Sequence, residues 1–195
     1  MQVDIYDFDK TMVPFDTGSL FWFYCMLRYP WIILLWPYQF IGGLLLALKI
    51  YNLTKVKRIF FSFVHFIPLD KARKKFWDKH EKDVFEWARK ENRERFTVVI
   101  SASPDFLLED IAKRIGIDCL ICTKHSPKNS AVIGLNCKGE EKVRRFREIY
   151  PDAQVITVYS DSLKSDRPIF SLGQNCFHIV NGERIPFVYS EKYGK

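Results

Sequence analysis

From Tyr29 to Leu48 the chain reads YPWIILLWPYQFIGGLLLAL, twenty residues without a charge. A run of that length can cross a bilayer, whose hydrocarbon core takes about 20 apolar residues of helix. Its interruptions argue against one straight helix. Pro30 and Pro37 each remove a backbone donor, and the Gly42-Gly43 pair weakens a helix interior, so the run predicts two short apolar helices. Any fold for this chain has to give those helices a place.

The next segment is basic. Residues 49 to 95 carry 14 Lys/Arg against 7 Asp/Glu, and the remainder carries 16 of each sign, so the whole net charge of +7 lies there. A basic insert beside a neutral body suits an anionic partner: a membrane surface, a nucleic acid or a charged substrate. The alternative is a solvated helical face. Lys71 to Lys75 (KARKK) could touch phosphate backbones, but with Trp77, Trp87 and acidic neighbours it reads as an amphipathic helix, and no nucleic-acid partner is expected.

The 195 residues, 48% hydrophobic with nine Gly and nine Pro, exclude disordered, collagen-like and coiled-coil classes and fit one domain plus an insertion. Five Cys without regular spacing argue against a disulfide scaffold. With a strand-like run at Val3 to Tyr6 and no signal peptide, a reducing, cytoplasmic setting is expected. Cys119 and Cys122 have metal-like spacing, but no second pair follows and they read as structural; His65, His80, His125 and His178 form no cluster.

Hydrophobic periodicity predicts a strand at 3–8, a largely helical stretch over 18–95, then alternating strands and helices. Strands are expected at Val98 to Ile100, Asp118 to Cys122, 155–159 and Cys176 to Val180, the last entering an Asn181-Gly182 hairpin turn. Helices are expected at Pro104 to Ile115 and Gly139 to Tyr150, and Ala131 to Leu135 could pair as a hairpin. Strands separated by helices imply an α/β fold with a mostly parallel sheet covered on both faces.

Ligands of such sheets bind beyond the carboxyl ends of the strands. Three strands here end in polar groups: Asp7 with Asp9 two residues on, Ser101, and Ser160-Asp161 with Asp166 further along. Lys142 opens a helix between the last two. Carboxylates gathered there repel unless a cation sits among them, and oxygen-only ligands favour Mg²⁺. Such a cluster can transfer a phosphoryl group: one carboxylate attacks phosphorus, a second moves protons, and Thr11, Ser101 and Lys142 hold the phosphoryl oxygens.

In order along the chain, Asp7-Phe8-Asp9-Lys10-Thr11, TVVIS ending at Ser101, the Lys142 of KGEEK, and Asp161 with Asp166 in YSDSLKSD resemble the four motifs of the haloacid dehalogenase-like superfamily. The resemblance implies a Rossmann-like core at 1–16 and 96–195, with a helical cap at 17–95, apolar over 20–48 and basic over 49–95. It implies Asp7 as nucleophile, Asp9 as general acid/base, and Mg²⁺ held by Asp7, the Asp9 carbonyl and Asp161, with Asp166 in support. SASPDFLLEDIAKRIGID and KGEEKV are similar to the phosphoserine-phosphatase-like subgroup. DFDKT with Asp16-Thr17 and an apolar cap is similar to the phosphatidylglycerophosphatase C type. Lys10 departs from the Gly of many members, and Asp161 and Asp166 are one residue further apart than in phosphoserine phosphatase.

One pass through a membrane at 29–48 would put Asp7 on one side and Ser101, Lys142 and Asp161 on the other, which excludes it for an enzyme. Short helices lying on one leaflet keep the site whole; Trp22, Trp31, Trp36 and Tyr38 suit the interface, and the basic residues after Leu48 suit anionic head groups. The expected protein is a phosphatase of a lipid phosphate, peripheral on the inner membrane face. The alternatives are a soluble small-metabolite phosphatase with the apolar cap buried in an oligomer, and a non-catalytic binding protein on the same scaffold.

Overall fold

Short β-branched runs form the strands: β1 (Gln2–Tyr6), β2 (Phe96–Pro104), β3 (Cys119–Thr123), β4 (Gln154–Ser160), β5 (Asn175–Val180) and β6 (Glu183–Phe187). In the computed structural model, which describes residues 1–194, they make one sheet in the order β3-β2-β1-β4-β5-β6. The first five run parallel and β6 pairs antiparallel with β5. The turn between β5 and β6 is Asn181-Gly182, both at positive φ (50° and 87°), as an Asn-Gly hairpin requires. The fold is α/β with a mostly parallel sheet.

Period-two alternation sorts the strand residues between two cores. Val3 and Ile5 of β1 and Val98 and Ile100 of β2 pack on one side with Phe146, Ile169 and Phe170. Those partners come from α6 (Glu140–Ile149) and α7 (Arg167–Phe170). Tyr6, Val99 and Tyr159 face the other way, onto Leu107, Leu108 and Ile111 of α5 (Asp105–Arg114).

The segment between β1 and β2 is helical: α1 (Thr17–Arg28), α2 (Trp36–Ala47), α3 (Leu53–Phe60) and α4 (Leu69–His80), with 3₁₀ turns between α1 and α2 and between α3 and α4; a short α8 (Tyr189–Tyr193) follows β6. Asp16 caps α1 by accepting from Ser19 N at 2.8 Å, and Asn52 caps α3 by accepting from Lys55 N at 2.9 Å. Phe21, Phe61, Phe63, Phe76 and Trp77 of this segment share one core cluster with Tyr6, Phe8 and Val99. Trp77 Nε1 donates to the Leu107 carbonyl at 2.8 Å. The insertion is built onto the sheet rather than beside it.

Two sequence expectations differ here. Ala131 to Leu135 forms no hairpin strand, only a single bridge between His125 and Val132. Ser130 turns at φ 55°, and Ile133 and Leu135 stay exposed, so no buried face rewards a longer ladder. In the apolar run, a 3₁₀ turn at Pro30–Leu35 feeds α2, whose start carries Pro37; Gly42-Gly43 lies inside α2 and does not break it.

Gly42 is needed there for space. A Cβ on it would meet Ile59 Cγ2 of α3 at 2.9 Å, whereas one on Gly43 would meet nothing within 4 Å. Gly42→Ala is therefore expected to destabilise by about 1–2 kcal/mol through overpacking. Gly43→Ala should gain about 0.5–1 kcal/mol of helix propensity. Urea midpoints of the two variants, read side by side, check this.

Of the 18 residues from Pro30 to Ala47, 11% are buried. Leu34 is 80% exposed, Phe40 62% and Trp36 57%, and Phe23, Leu27, Trp31, Ile41, Leu44 and Leu48 are exposed with them. Many large apolar side chains of this one segment thus face outward.

Candidate active site

Strands β1 and β4 are neighbours, and the chain leaves this pair toward β2 on one side and β5 on the other. Such a reversal opens a crevice at the carboxyl ends of the strands. Asp7 follows β1 and continues its pairing, its N–H donating to the Tyr159 carbonyl at 2.9 Å. The chain then turns tightly: the Phe8 carbonyl accepts from Met12 N at 2.9 Å and Thr11 N at 3.3 Å, with Phe8 and Met12 buried as anchors. Lys10 takes φ 55° in this turn, the left-handed region that glycine fills without cost. The glycine common at this place in the resembling family is thus replaced by a strained lysine.

A cavity of about 470 Å³ lies over these strand ends, and Asp7, Asp9, Ser101, Lys142, Asp161 and Asp166 all line it. Lys142 enters from the first turn of α6, whose cap Gly139 sits at φ 61°. Its Nζ donates to Asp7 Oδ1 at 2.7 Å and to Asp166 at 2.9 Å, and Ser160 Oγ donates to Asp166 Oδ2 at 2.6 Å. Burial works against the ammonium, but the carboxylates of Asp7 and Asp166 outweigh it and hold Lys142 charged. Burial raises the Asp7 pKa against the pull of Lys142, with Asp166 and Asp9 adding to the rise. Asp161 is raised as well, by burial and then by Asp166.

Asp9 points elsewhere. One carboxylate oxygen accepts from Thr17 N at 2.9 Å and from the Thr17 hydroxyl, and the other accepts from the Ser103 hydroxyl. Burial raises its pKa against these donors. Thr11, expected at the phosphate, is fully buried, and its hydroxyl accepts from Asp161 N at 2.9 Å, so it holds the turn that presents Asp161. Ser101 is buried on the cavity wall, and its Oγ accepts from Ser103 N at 3.0 Å.

Sequence reading had no role for Thr17 or Ser103. Ser103 carries a faint signal, a second hydroxyl two residues after Ser101 and hence on the same side of a strand. Lys57 was also missed: it reaches the cavity from α3 and donates to the Ala102 carbonyl at 2.5 Å and Asn136 Oδ1 at 2.6 Å. Cys119 and Cys122 are unpaired, and burial pushes the Cys122 thiol up, in keeping with a structural part.

Among the described residues no three His, Cys, Asp or Glu side chains form a metal cluster. The donors still fit a hard cation. Asp7 keeps one oxygen with no hydrogen bond from the described residues, and the Asp161 carboxylate has none either. The Asp9 carboxylate is taken by Thr17 and Ser103, leaving its main-chain carbonyl as its available donor, and Asp166 is taken by Lys142 and Ser160. Two carboxylates and a carbonyl completed by water are a set Mg²⁺ accepts.

The chain is 29% identical over 92 residues to Protein CicA of Caulobacter vibrioides, a match covering 44% of this chain and 41% of that protein's length. Among solved structures it resembles a Bordetella pertussis protein of unknown function, with a TM-score of 0.63 and 13% identity, covering 80% of this chain and 81% of that one. It also resembles a phosphoserine phosphohydrolase-like protein from Francisella tularensis (TM-score 0.58, 13% identity, 91% and 87% covered) and a substrate-bound phosphoserine phosphatase (TM-score 0.55, 17% identity, 89% and 83% covered). At these identities the likeness is one of fold. Residues 5–171, from the middle of β1 past α7, match a sequence family directly, and by that match the chain belongs to the haloacid dehalogenase-like hydrolases.

Proposed function

We propose that this chain is a Mg²⁺-dependent phosphatase that hydrolyses a phosphomonoester through an aspartyl phosphate on Asp7, and that its substrate is a lipid phosphate such as phosphatidylglycerophosphate. The reaction rests on the network joining Asp7, Lys142 and Asp166, with Asp9 held apart from it. Asp7 attacks phosphorus while Lys142 and Ser101 hold the phosphoryl oxygens. Asp9, whose pKa burial raises against its Thr17 and Ser103 donors, acts as the general acid and gives a proton to the leaving oxygen. It then takes one from the water that attacks the phosphoenzyme, releasing phosphate and restoring Asp7. Bound Mg²⁺, held by Asp7, Asp161 and the Asp9 carbonyl, would neutralise the charge shared by phosphoryl group and carboxylates.

The lipid reading rests on one observation: helix α3 links the cavity to α2, which carries much of the exposed apolar surface. Helix α3 packs on α2, and its Leu53, Val56 and Phe60 form a cavity wall. Leu53 is itself partly exposed, so apolar lining and apolar surface meet there. Arg28, Lys49, Lys55 and Arg58 are exposed in the same helical segment, where anionic head groups would find them. Against a small zwitterionic substrate, the cavity carboxylates are engaged by neighbours or fit the cation, and even Asp16 has one oxygen in the α1 cap.

The test is phosphate release from phosphatidylglycerophosphate in detergent micelles beside phosphoserine. The lipid is expected to be turned over at least about tenfold faster, a margin that about 1.4 kcal/mol of differential binding provides. Chelation should abolish both activities and Mg²⁺ restore them. Faster turnover of phosphoserine would end the lipid reading.

A further inference from the structure

We propose that Lys57, assisted by Lys138, binds a second anionic group of the substrate, a phosphodiester on the leaving-group side of the scissile phosphomonoester. The inference rests on the phosphatase reading above and narrows its substrate. Phosphoryl chemistry uses Lys142, yet three further lysines, Lys10, Lys57 and Lys138, line the same cavity, and none has a carboxylate within salt-bridge distance among the described residues.

Lys57 is the one set in place. Two of its three N–H donors go to neutral acceptors, the Ala102 carbonyl and Asn136 Oδ1, and the third is left for a ligand. Asn136 is itself fixed, its Oδ1 also accepting from Thr123 Oγ1 at 2.9 Å. Burial lowers the ammonium to about 8, so a ligand anion there would relieve an unfavourable charge. The position indicates which side of the phosphoryl group is read. Ala102 separates Ser101, on the phosphoryl side, from Ser103, which holds the proton-donating Asp9. A group beside Lys57 therefore belongs to the departing alcohol.

Two lipids separate this from a purely structural tie between α3 and the core. Phosphatidylglycerophosphate has a diester beyond its phosphomonoester; phosphatidic acid has the monoester alone. In mixed micelles with Mg²⁺, Lys57→Met should lower the kcat/KM ratio of the first lipid over the second about 100-fold, the scale of losing one partner of a buried charge pair. Lys57→Arg should recover most of that ratio. A ratio that stays put, whether both rates fall together or neither falls, overturns the proposal. So does an equal loss on phosphoserine, which would make the second anion a carboxylate.

A binding arm needs no turnover. Asp7→Asn protein should bind soluble glycerophosphoglycerol, a diester without a monoester, by calorimetry, and the double variant with Lys57→Met should not. Equal binding by the two overturns the proposal. If no phosphomonoester is hydrolysed at all, the phosphatase reading fails, and this arm still decides Lys57.

Discussion

Asp7→Asn is expected to lower phosphate release by about 10⁴-fold or more, the scale seen when a covalent nucleophile is removed. The unfolding free energy from urea melts should change by much less than the about 3–5 kcal/mol that losing one partner of a buried ion pair costs, because Asp166 still pairs with the Lys142 ammonium. The two expectations separate because asparagine keeps the carboxylate's shape and can still accept from Lys142 Nζ, which lies 2.7 Å from Asp7 Oδ1. It also removes one charge from a place where burial already disfavours it. Activity within tenfold of the wild type would take the nucleophile's part from Asp7. Asp9→Asn provides the companion result: a loss of about 10²–10⁴-fold on a poor leaving group, shrinking on p-nitrophenyl phosphate, whose phenolate departs without a proton. A loss equal on both would place Asp9 outside proton transfer.

Replacing Trp36, Phe40 and Leu44 together by glutamate should reduce binding to anionic vesicles by about 10³-fold. These side chains follow one another at turn spacing on α2 and are all exposed, and the rings of Trp36 and Phe40 lie 6.1 Å apart. Burying three such groups is worth on the order of 4 kcal/mol, and repulsion from anionic lipid adds to the loss. Turnover of p-nitrophenyl phosphate should stay within about twofold, since exposed substitutions seldom shift stability by more than about 0.5 kcal/mol. Vesicle flotation reads the first quantity and a colorimetric assay the second. Unaltered flotation would detach the apolar face from membranes, and a change from dimer to monomer in the triple variant would assign it to a second copy.

The parts of the site that are legible in sequence are those fixed by backbone position. Asp7 and Asp161 stand just past the ends of β1 and β4, Ser101 stands where the apolar run of β2 stops although the strand continues to Pro104, and Lys142 follows a glycine at positive φ. The illegible parts depend on where side chains turn. Thr11 looks like a phosphate ligand beside Asp9 but is fully buried off the cavity wall, its hydroxyl accepting from Asp161 N, and the Asp9 carboxylate faces the start of α1. Lys57 is hidden for another reason. Within a basic segment a lysine reads as one more solvated charge, and only the packing of α3 against Ala102 and Asn136 singles it out. Likewise Gly42-Gly43 reads as a helix break until Ile59 is seen against it.

The order of the sheet has a consequence for synthesis. Tyr6 of β1 lies opposite Val99 of β2 on one side and Tyr159 of β4 on the other, so the central strand is made first and flanked last. Translation at about 5–20 residues per second leaves β1 without its second neighbour for on the order of ten seconds, while the uncharged run from Tyr29 to Leu48 is already outside the ribosome. Non-local pairing of this kind also slows folding itself. During that interval an aggregation-prone segment precedes the sheet that will carry it. Its yield in cells should therefore depend on how soon a chaperone or a bilayer surface shelters that segment, more than on the stability of the finished molecule.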